Sequence, residues 1–411
     1  MHAVVGSPVV IRDNKFAVVT APITIDGRTR ELYFKASTPF VSEGIEPFVA
    51  AAFLPALTIA SRFAVEAPMS ARLLRNLQRI TELFVCWEPE RFHSVEIDAT
   101  PAERTAHSGR TTAGFFSGGV DSFYTLLKHR DEITHLIFVT GFDIRLDDER
   151  LQADVLTAVR AAAAELGKPL IVVETNLRQC FDSFVSWPDH YCGAAIASVA
   201  LLLSPLFHTV YVAASAGYKV LVPFGSHPLL DPLWSTEAVQ IIHDGCEASR
   251  FQKVGAIAQS EVVRKTLRVC WHNTDGAYNC GSCLKCLHTM ALLRAVGALE
   301  SVRTFDRPLP LRSVAWEFGG HVIDPAVPSR NFVLSMEHAA DHLAASGRDP
   351  ALLKALRNGL AAKYERGMWA FAKGARQRIK TYGQSMLQNR MRRRVAAQGC
   401  SSKNHAPTEV S

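Results

Sequence analysis

The sequence predicts an α/β protein built on a doubly wound parallel sheet, and three observations carry that prediction. From Thr112 onward, short apolar runs alternate with amphipathic stretches at the spacing of βα units. One of those runs leads straight into a glycine-rich turn and then into a helix. Downstream, four cysteines fall within seventeen positions, the number a closed metal knuckle needs.

At roughly 100 to 200 residues per domain, the 411-residue chain has room for two or three. Val9 to Ala36 carries β-branched and aromatic runs broken by Asp13-Asn14 and Asp26-Gly27, and the second dipeptide is a hairpin signal. Pro47 to Ala60 and Ser70 to Val85 read as helices; the second has a Ser cap and Leu73, Leu74, Leu77, Ile80 and Leu83 at helical spacing. A small α+β N-terminal domain over 1–104 is expected, with no motif tied to chemistry.

The α/β domain is expected over 105–300. Its strands are Thr112 to Phe116, His135 to Thr140, Leu170 to Glu174 and Thr209 to Ala213, and its helices lie near Asp121 to Arg130, Asp148 to Leu166 and Asp189 to Leu203. In the middle helix, Val155, Val159, Ala163 and Leu166 share one face, as packing on a sheet requires. Ligands of such a sheet sit at the carboxyl ends of its strands. After Pro308-Leu-Pro310 comes a helical extension, 301–411, with a periodic run from Asp349-Pro350 through Lys363 and a small, polar end expected to be disordered from about 399. There is no internal repeat.

With 48% apolar and 20% charged residues, wholesale disorder, collagen-like repeats and a coiled-coil rod are excluded. The first fifteen residues lack the pattern of a signal peptide. The longest apolar stretch, Gly193 to Phe207, falls short of the ~20 residues of a membrane helix. Nine cysteines, most of them scattered, do not make a secreted disulfide scaffold, so a reduced, cytoplasmic protein is expected. The formal charge of +6 is concentrated: Lys373, Arg376, Arg378, Lys380, Arg390, Arg392, Arg393, Arg394 and Lys403 form a carboxylate-free arm of nine cations. Such an arm suits nucleic acid or an acidic partner and equally serves as a solubilising face.

The segment Thr112-Ala-Gly-Phe-Phe-Ser117-Gly118-Gly119-Val120-Asp121-Ser122 is the sharpest in the chain. Adjacent glycines let bare amides approach an anion, and the following helix aims its free N–H groups at the same point. Ser117 and Ser122 add hydroxyls, while Asp121 either caps the helix or helps hold magnesium at a polyphosphate. The Gly-Lys-Ser/Thr ending of a Walker A loop is missing. Ser-Gly-Gly-Val-Asp-Ser resembles the pyrophosphate loop of the PP-loop ATP pyrophosphatase superfamily, which implies a HUP-like fold, ATP and Mg2+ as cofactors, and ATP cleavage to AMP and pyrophosphate. In that reading Ser117, Gly118, Gly119, Val120, Asp121 and Ser122 bind the nucleotide, with Ser117, Asp121 and Ser122 in the catalytic role.

Cys270, Cys280, Cys283 and Cys286 supply four thiolates, with turns at Asp275-Gly276 and Asn279-Cys280-Gly281 that fold the chain back on one ion. Zn2+ is the expected occupant of this 270–286 knuckle; an iron–sulfur cluster competes, and His272 can stand in for one thiolate. The cluster following such a loop is similar to that of the 7-cyano-7-deazaguanine synthase family. The resemblance covers roughly Thr111 to Gly297 and implies a structural zinc. This chain departs from that family's substrate-pocket stretches: it has Pro188-Asp189-His190-Tyr191, Ser215-Ala-Gly-Tyr218-Lys219 and Phe224 to Ser235 instead, so the deazaguanine substrate is not carried over.

The resemblance implies an enzyme that adenylates a carboxylate or amide oxygen, releases pyrophosphate and transfers a nitrogen nucleophile, forming an amide or nitrile on a small-molecule or macromolecular acid. Alternatives are a tRNA-thiolating or amide-ligating enzyme of the same superfamily, for which Cys180 or Cys192 would be the reactive thiol, and a non-catalytic ATP-binding sensor subunit. His190, Tyr191, His227 and Asp231 are candidates for substrate contact. Lys219, Arg264 and Lys265 read mainly as a solvated face, with one cation available to a developing pyrophosphate. A homodimer is compatible with these features.

Overall fold

A computed structural model describes residues 2–102, 111–273, 276–320 and 327–361. The basic arm, the expected disorder beyond 399 and the last residues of the run through Lys363 lie outside the described residues.

The chain opens with β1 (His2–Val5), β2 (Val9–Arg12) and the hairpin β3 (Ala17–Ile25) and β4 (Arg28–Ala36). The hairpin turns on Asp26 and Gly27, both left-handed at φ 56° and 68°, which is what a two-residue loop between twisted strands demands. Helix α1 (Glu46–Leu57) is buried on every side. Next come β5 (Arg62–Val65), β6 (Met69–Ser70), α2 (Ala71–Trp87), β7 (Glu96–Asp98) and β8 (Pro101–Ala102), the last pairing with β6. The Ser70 hydroxyl caps α2 by accepting the Leu73 N–H at 3.0 Å.

The second stretch runs β9 (Thr112–Phe115), α3 (Val120–Lys128), β10 (His135–Thr140), α4 (Glu149–Glu165), β11 (Leu170–Thr175), α5 (Leu177–Phe181), α6 (Cys192–Leu202), β12 (Thr209–Ala213) and β13 (Gln240–Asp244). It continues as α7 (Arg250–Ile257), α8 (Glu261–Thr266), α9 (Leu284–Ala295), α10 (Leu311–Gly320) and α11 (Val327–Ser346), and a further helix covers 350–361.

One sheet takes up eleven of these strands in the order β13-β12-β9-β10-β11-β4-β3-β1-β5-β7, with β2 on β3. From β13 to β11 every pairing is parallel. Alternate side chains feed two cores. Ile137, Val210 and Val212 face α1 and α6, while Leu136, Phe138 and Tyr211 face α3, α4, α7 and α9. Helices therefore cover both faces, and on α4 the expected residues Val155, Val159 and Ala163 are buried. The fold is α/β with a mostly parallel central sheet.

The sheet is mixed, not purely parallel. β4 joins β11 antiparallel, pairing Ala36 with Val173 and Phe34 with Thr175, so the expected N-terminal unit extends the same sheet. Asn176 secures the join: its Oδ1 accepts from Tyr33 N–H and its Nδ2 donates to the Glu31 carbonyl. The helix expected from Asp189 begins at Cys192, after one π-helical turn, Trp187–Tyr191. Among the described residues, no helix is long and apolar enough to cross a membrane.

Candidate functional site

Strand β9 is the hub of the parallel half. The chain leaves it for β10 and β11 on one side, then returns to β12 and β13 on the other. This reversal opens a crevice beyond the carboxyl ends of β9 and β12. The glycine loop lies there. Gly118 sits at φ +75°, in the region that only glycine enters without strain, and its carbonyl accepts the Arg268 backbone N–H at 2.9 Å. The Ser122 hydroxyl donates to the Gly119 carbonyl at 3.1 Å, and the two serine hydroxyls lie 3.4 Å apart. Gly119 caps α3 without a side chain, so the first-turn N–H groups have no intrahelical acceptor and point toward whatever lies before the helix.

That space is a cavity of about 230 Å³ lined by Ser117, Asp121 and Ser122 together with Thr140, Asp143 and Arg268. Its remaining wall is largely apolar and includes Phe138, Phe142 and Trp187. A few polar groups converging in an apolar cleft is the usual form of a small-molecule site.

Around Asp121 the structure gathers cations from two other elements. Arg250 Nη1 lies 2.9 Å from one carboxylate oxygen and Lys253 Nζ 3.4 Å from the other. Burial alone would raise the Asp121 pKa, but Arg250, Lys253 and Lys285 outweigh it and hold the carboxyl below its ordinary value. Lys253 also donates to the Ala214 carbonyl at 2.6 Å, which ties α7 to the end of β12. Since both oxygens of Asp121 face cations, the loop offers Mg2+ no free carboxylate. Asp143, exposed on the cavity wall, has no ion pair among the described residues.

The four cysteine sulfurs lie within 4.8 Å of one another, and all four residues are buried. Thiolates about 2.3 Å from one zinc would stand about 3.8 Å apart, close to the 3.9 Å between Cys280 and Cys286. Cys283 N–H points at Cys280 Sγ (3.3 Å) and Cys286 N–H at Cys283 Sγ (3.4 Å), donors that favour the thiolate form. The donor set fits a metal such as zinc. His272 is not among the grouped ligand atoms; it is exposed and stacks on Trp271. Asn279 braces the knuckle: its Oδ1 accepts from Val269 and Cys270 N–H, and its Nδ2 donates to the Leu267 and Thr304 carbonyls.

The remaining expected site residues fall elsewhere. His190 Nε2 is 2.8 Å from Glu88, and fully buried Tyr191 donates to the Ala51 carbonyl at 2.6 Å. Neither lines the cavity. Asp231 accepts from the Ser226 hydroxyl and the His227 N–H and pairs with His243 Nδ1 at 2.7 Å, wholly inside the protein. The His227 ring meets Trp87 edge-on. Lys219 is exposed, Lys265 pairs with Glu165 and Glu261, and Arg264 donates to Gln259 and the Ala258 carbonyl. Burial pushes the Cys180 thiol up to about 11 and raises that of Cys192 as well, so neither is a ready thiolate. Cys192 nonetheless lines the cavity.

Arg250, Lys253, Arg268 and Lys285 escape the sequence reading. Their nearest signals are Ser249, which opens a capping box that fixes α7, and the placement of Arg268 and Lys285 beside and inside the cysteine pattern. Comparison with family models, with curated proteins and with solved structures finds no match for this chain.

Proposed function

We propose that this chain is an ATP-dependent enzyme of the PP-loop ATP pyrophosphatase type, a ligase that forms a carbon–nitrogen bond. The observation that carries the reading is the Ser117–Ser122 loop: a left-handed Gly118, an uncapped helix start and two serines at a sheet switch point, all opening into one cavity. ATP lies with its phosphates on the loop and its base against the apolar wall. An acceptor carboxylate or amide oxygen attacks the α-phosphorus, the α–β bridge breaks, and pyrophosphate leaves. A nitrogen nucleophile then displaces AMP from the adenylate. The site acts through position and preorganised donors more than through acid–base chemistry.

The same reading gives the four cysteines a structural Zn2+, since four thiolates leave no open coordination position. It also suits a reducing cytoplasm, where free thiols persist. The raised Cys180 and Cys192 thiols weigh against sulfur transfer.

The test is pyrophosphate release, read as orthophosphate after inorganic pyrophosphatase, across a panel of carboxylic acids with ammonium or glutamine as nitrogen source. Asp121→Asn and Ser117→Ala should each lower the rate at least tenfold. ATP binding with no pyrophosphate for any acid would favour a sensor subunit instead.

A further inference from the structure

The cysteine knuckle does more than close a loop; it places one cation, Arg268, on the cavity wall and a second, Lys285, within electrostatic reach of the carboxylates Asp121 and Asp143. Arg268 stands two residues before Cys270, and Lys285 lies between Cys283 and Cys286. Arg268 is 7% exposed and lines the cavity beside Ser117 and Ser122. One of its terminal nitrogens donates to Asn273 Oδ1 at 2.6 Å, while its buried Nε has no partner among the described residues. A buried guanidinium donor without an acceptor is costly, and this one belongs to a residue on the cavity wall, where an anion would supply the missing acceptor. Meanwhile its backbone N–H holds the Gly118 carbonyl, so the side chain and the glycine loop share one anchor.

Charge counting points the same way. At the loop the carboxylates Asp121 and Asp143 stand against the four cations Arg250, Lys253, Lys285 and Arg268, and Arg268 has an amide in place of a carboxylate. Helix α9, which carries Lys285, packs on α7, which carries Arg250 and Lys253. The excess positive charge sits where the first-turn N–H groups of α3 also point.

We infer that Arg268 and Lys285 form an anion clamp for the pyrophosphate moiety, held in register with the glycine loop by the four-cysteine knuckle. The clamp deepens the proposed ATP chemistry and rests on it for the identity of the anion. A metal held by Cys270, Cys280, Cys283 and Cys286 would fix the knuckle, and Asn279 passes that rigidity to the backbone at 267–270. Removing the metal should therefore loosen the anion site.

The experiment is calorimetric titration of the full chain with inorganic pyrophosphate, with zinc content and Tm measured for every variant. Arg268→Gln and Lys285→Gln should each weaken binding tenfold or more while keeping zinc and Tm, and Arg268→Lys should recover part of the loss. Chelating the metal should weaken binding in the parent chain but add little in the doubly substituted one. Wild-type affinity in both single variants would overturn the clamp. Should Arg268→Gln lose zinc or melt early, Lys285→Gln and Arg268→Lys carry the same test. The two proposals fail separately: pyrophosphate bound through Arg268 without any ATP cleavage sinks only the enzyme. ATP cleavage indifferent to both substitutions sinks only the clamp.

Discussion

The pair Asp231 and His243 shows how the fold can engage a residue that stands out in the sequence. Asp231 and His227 stand in a Pro-bounded loop that looks like substrate contact, yet the fold turns Asp231 inward onto His243, whose side chain is 4% exposed. Burial alone would lower the His243 pKa, but Asp231 and Cys246 outweigh it and raise it to about 9. The proton is thus held more tightly folded than unfolded. The pair's contribution is complete below about pH 6.5 and fades as pH rises through about 9. At roughly 1.4 kcal/mol per pH step it amounts to at most about 3 kcal/mol. Urea unfolding from pH 6 to 10 should show that loss in the parent chain, and His243→Gln should flatten it; equal slopes would refute the pairing. Gly118→Ala addresses the loop itself. A Cβ there meets nothing nearer than 3.8 Å, so the cost is left-handed strain rather than a clash. About 1 kcal/mol of stability should be lost, with weakened nucleotide binding; unchanged binding would mean that the loop conformation is not used.

At the scale of elements, long periodic segments were legible and short ones were not. The hairpin at Asp26-Gly27, α2 with its Ser70 cap, β9 to β12 and α4 all follow from alternation, spacing and turn residues. Strand β13, Gln240-Ile-Ile-His-Asp, has only two apolar positions between polar ones, and β7 is Glu-Ile-Asp, so neither has a pattern to find. Pairing with neighbours, not propensity, makes them strands. The cysteine pattern was readable because metal ligation fixes residue type and spacing together, whereas Arg250 and Lys253 announce themselves only once α7 is docked. Elemental analysis should find about one zinc per chain and no iron. Chelation should raise hydrogen exchange over 267–286 and spare the hairpin of β3 and β4. Iron in the purified protein would replace the zinc assignment.

The whole molecule is organised by one sheet. The β11–β4 join makes the first hundred residues part of the scaffold behind the switch point, and the first core runs through α1, α2 and α6 without a break. The first hundred residues read as a separate domain because the joint is made by backbone hydrogen bonds and one asparagine, neither of which leaves a composition signal. The +6 charge is owed to the arm from Lys373 to Lys403, whose nine cations outweigh a net −3 in the rest of the chain. The central claim is that this sheet presents ATP for cleavage at the α-phosphorus. Phosphorus NMR of ATP incubated with the full chain, Mg2+ and a small-molecule metabolite extract tests it most directly. AMP and pyrophosphate in equal amounts, lost on Asp121→Asn, are the predicted products; ADP and orthophosphate would contradict the account.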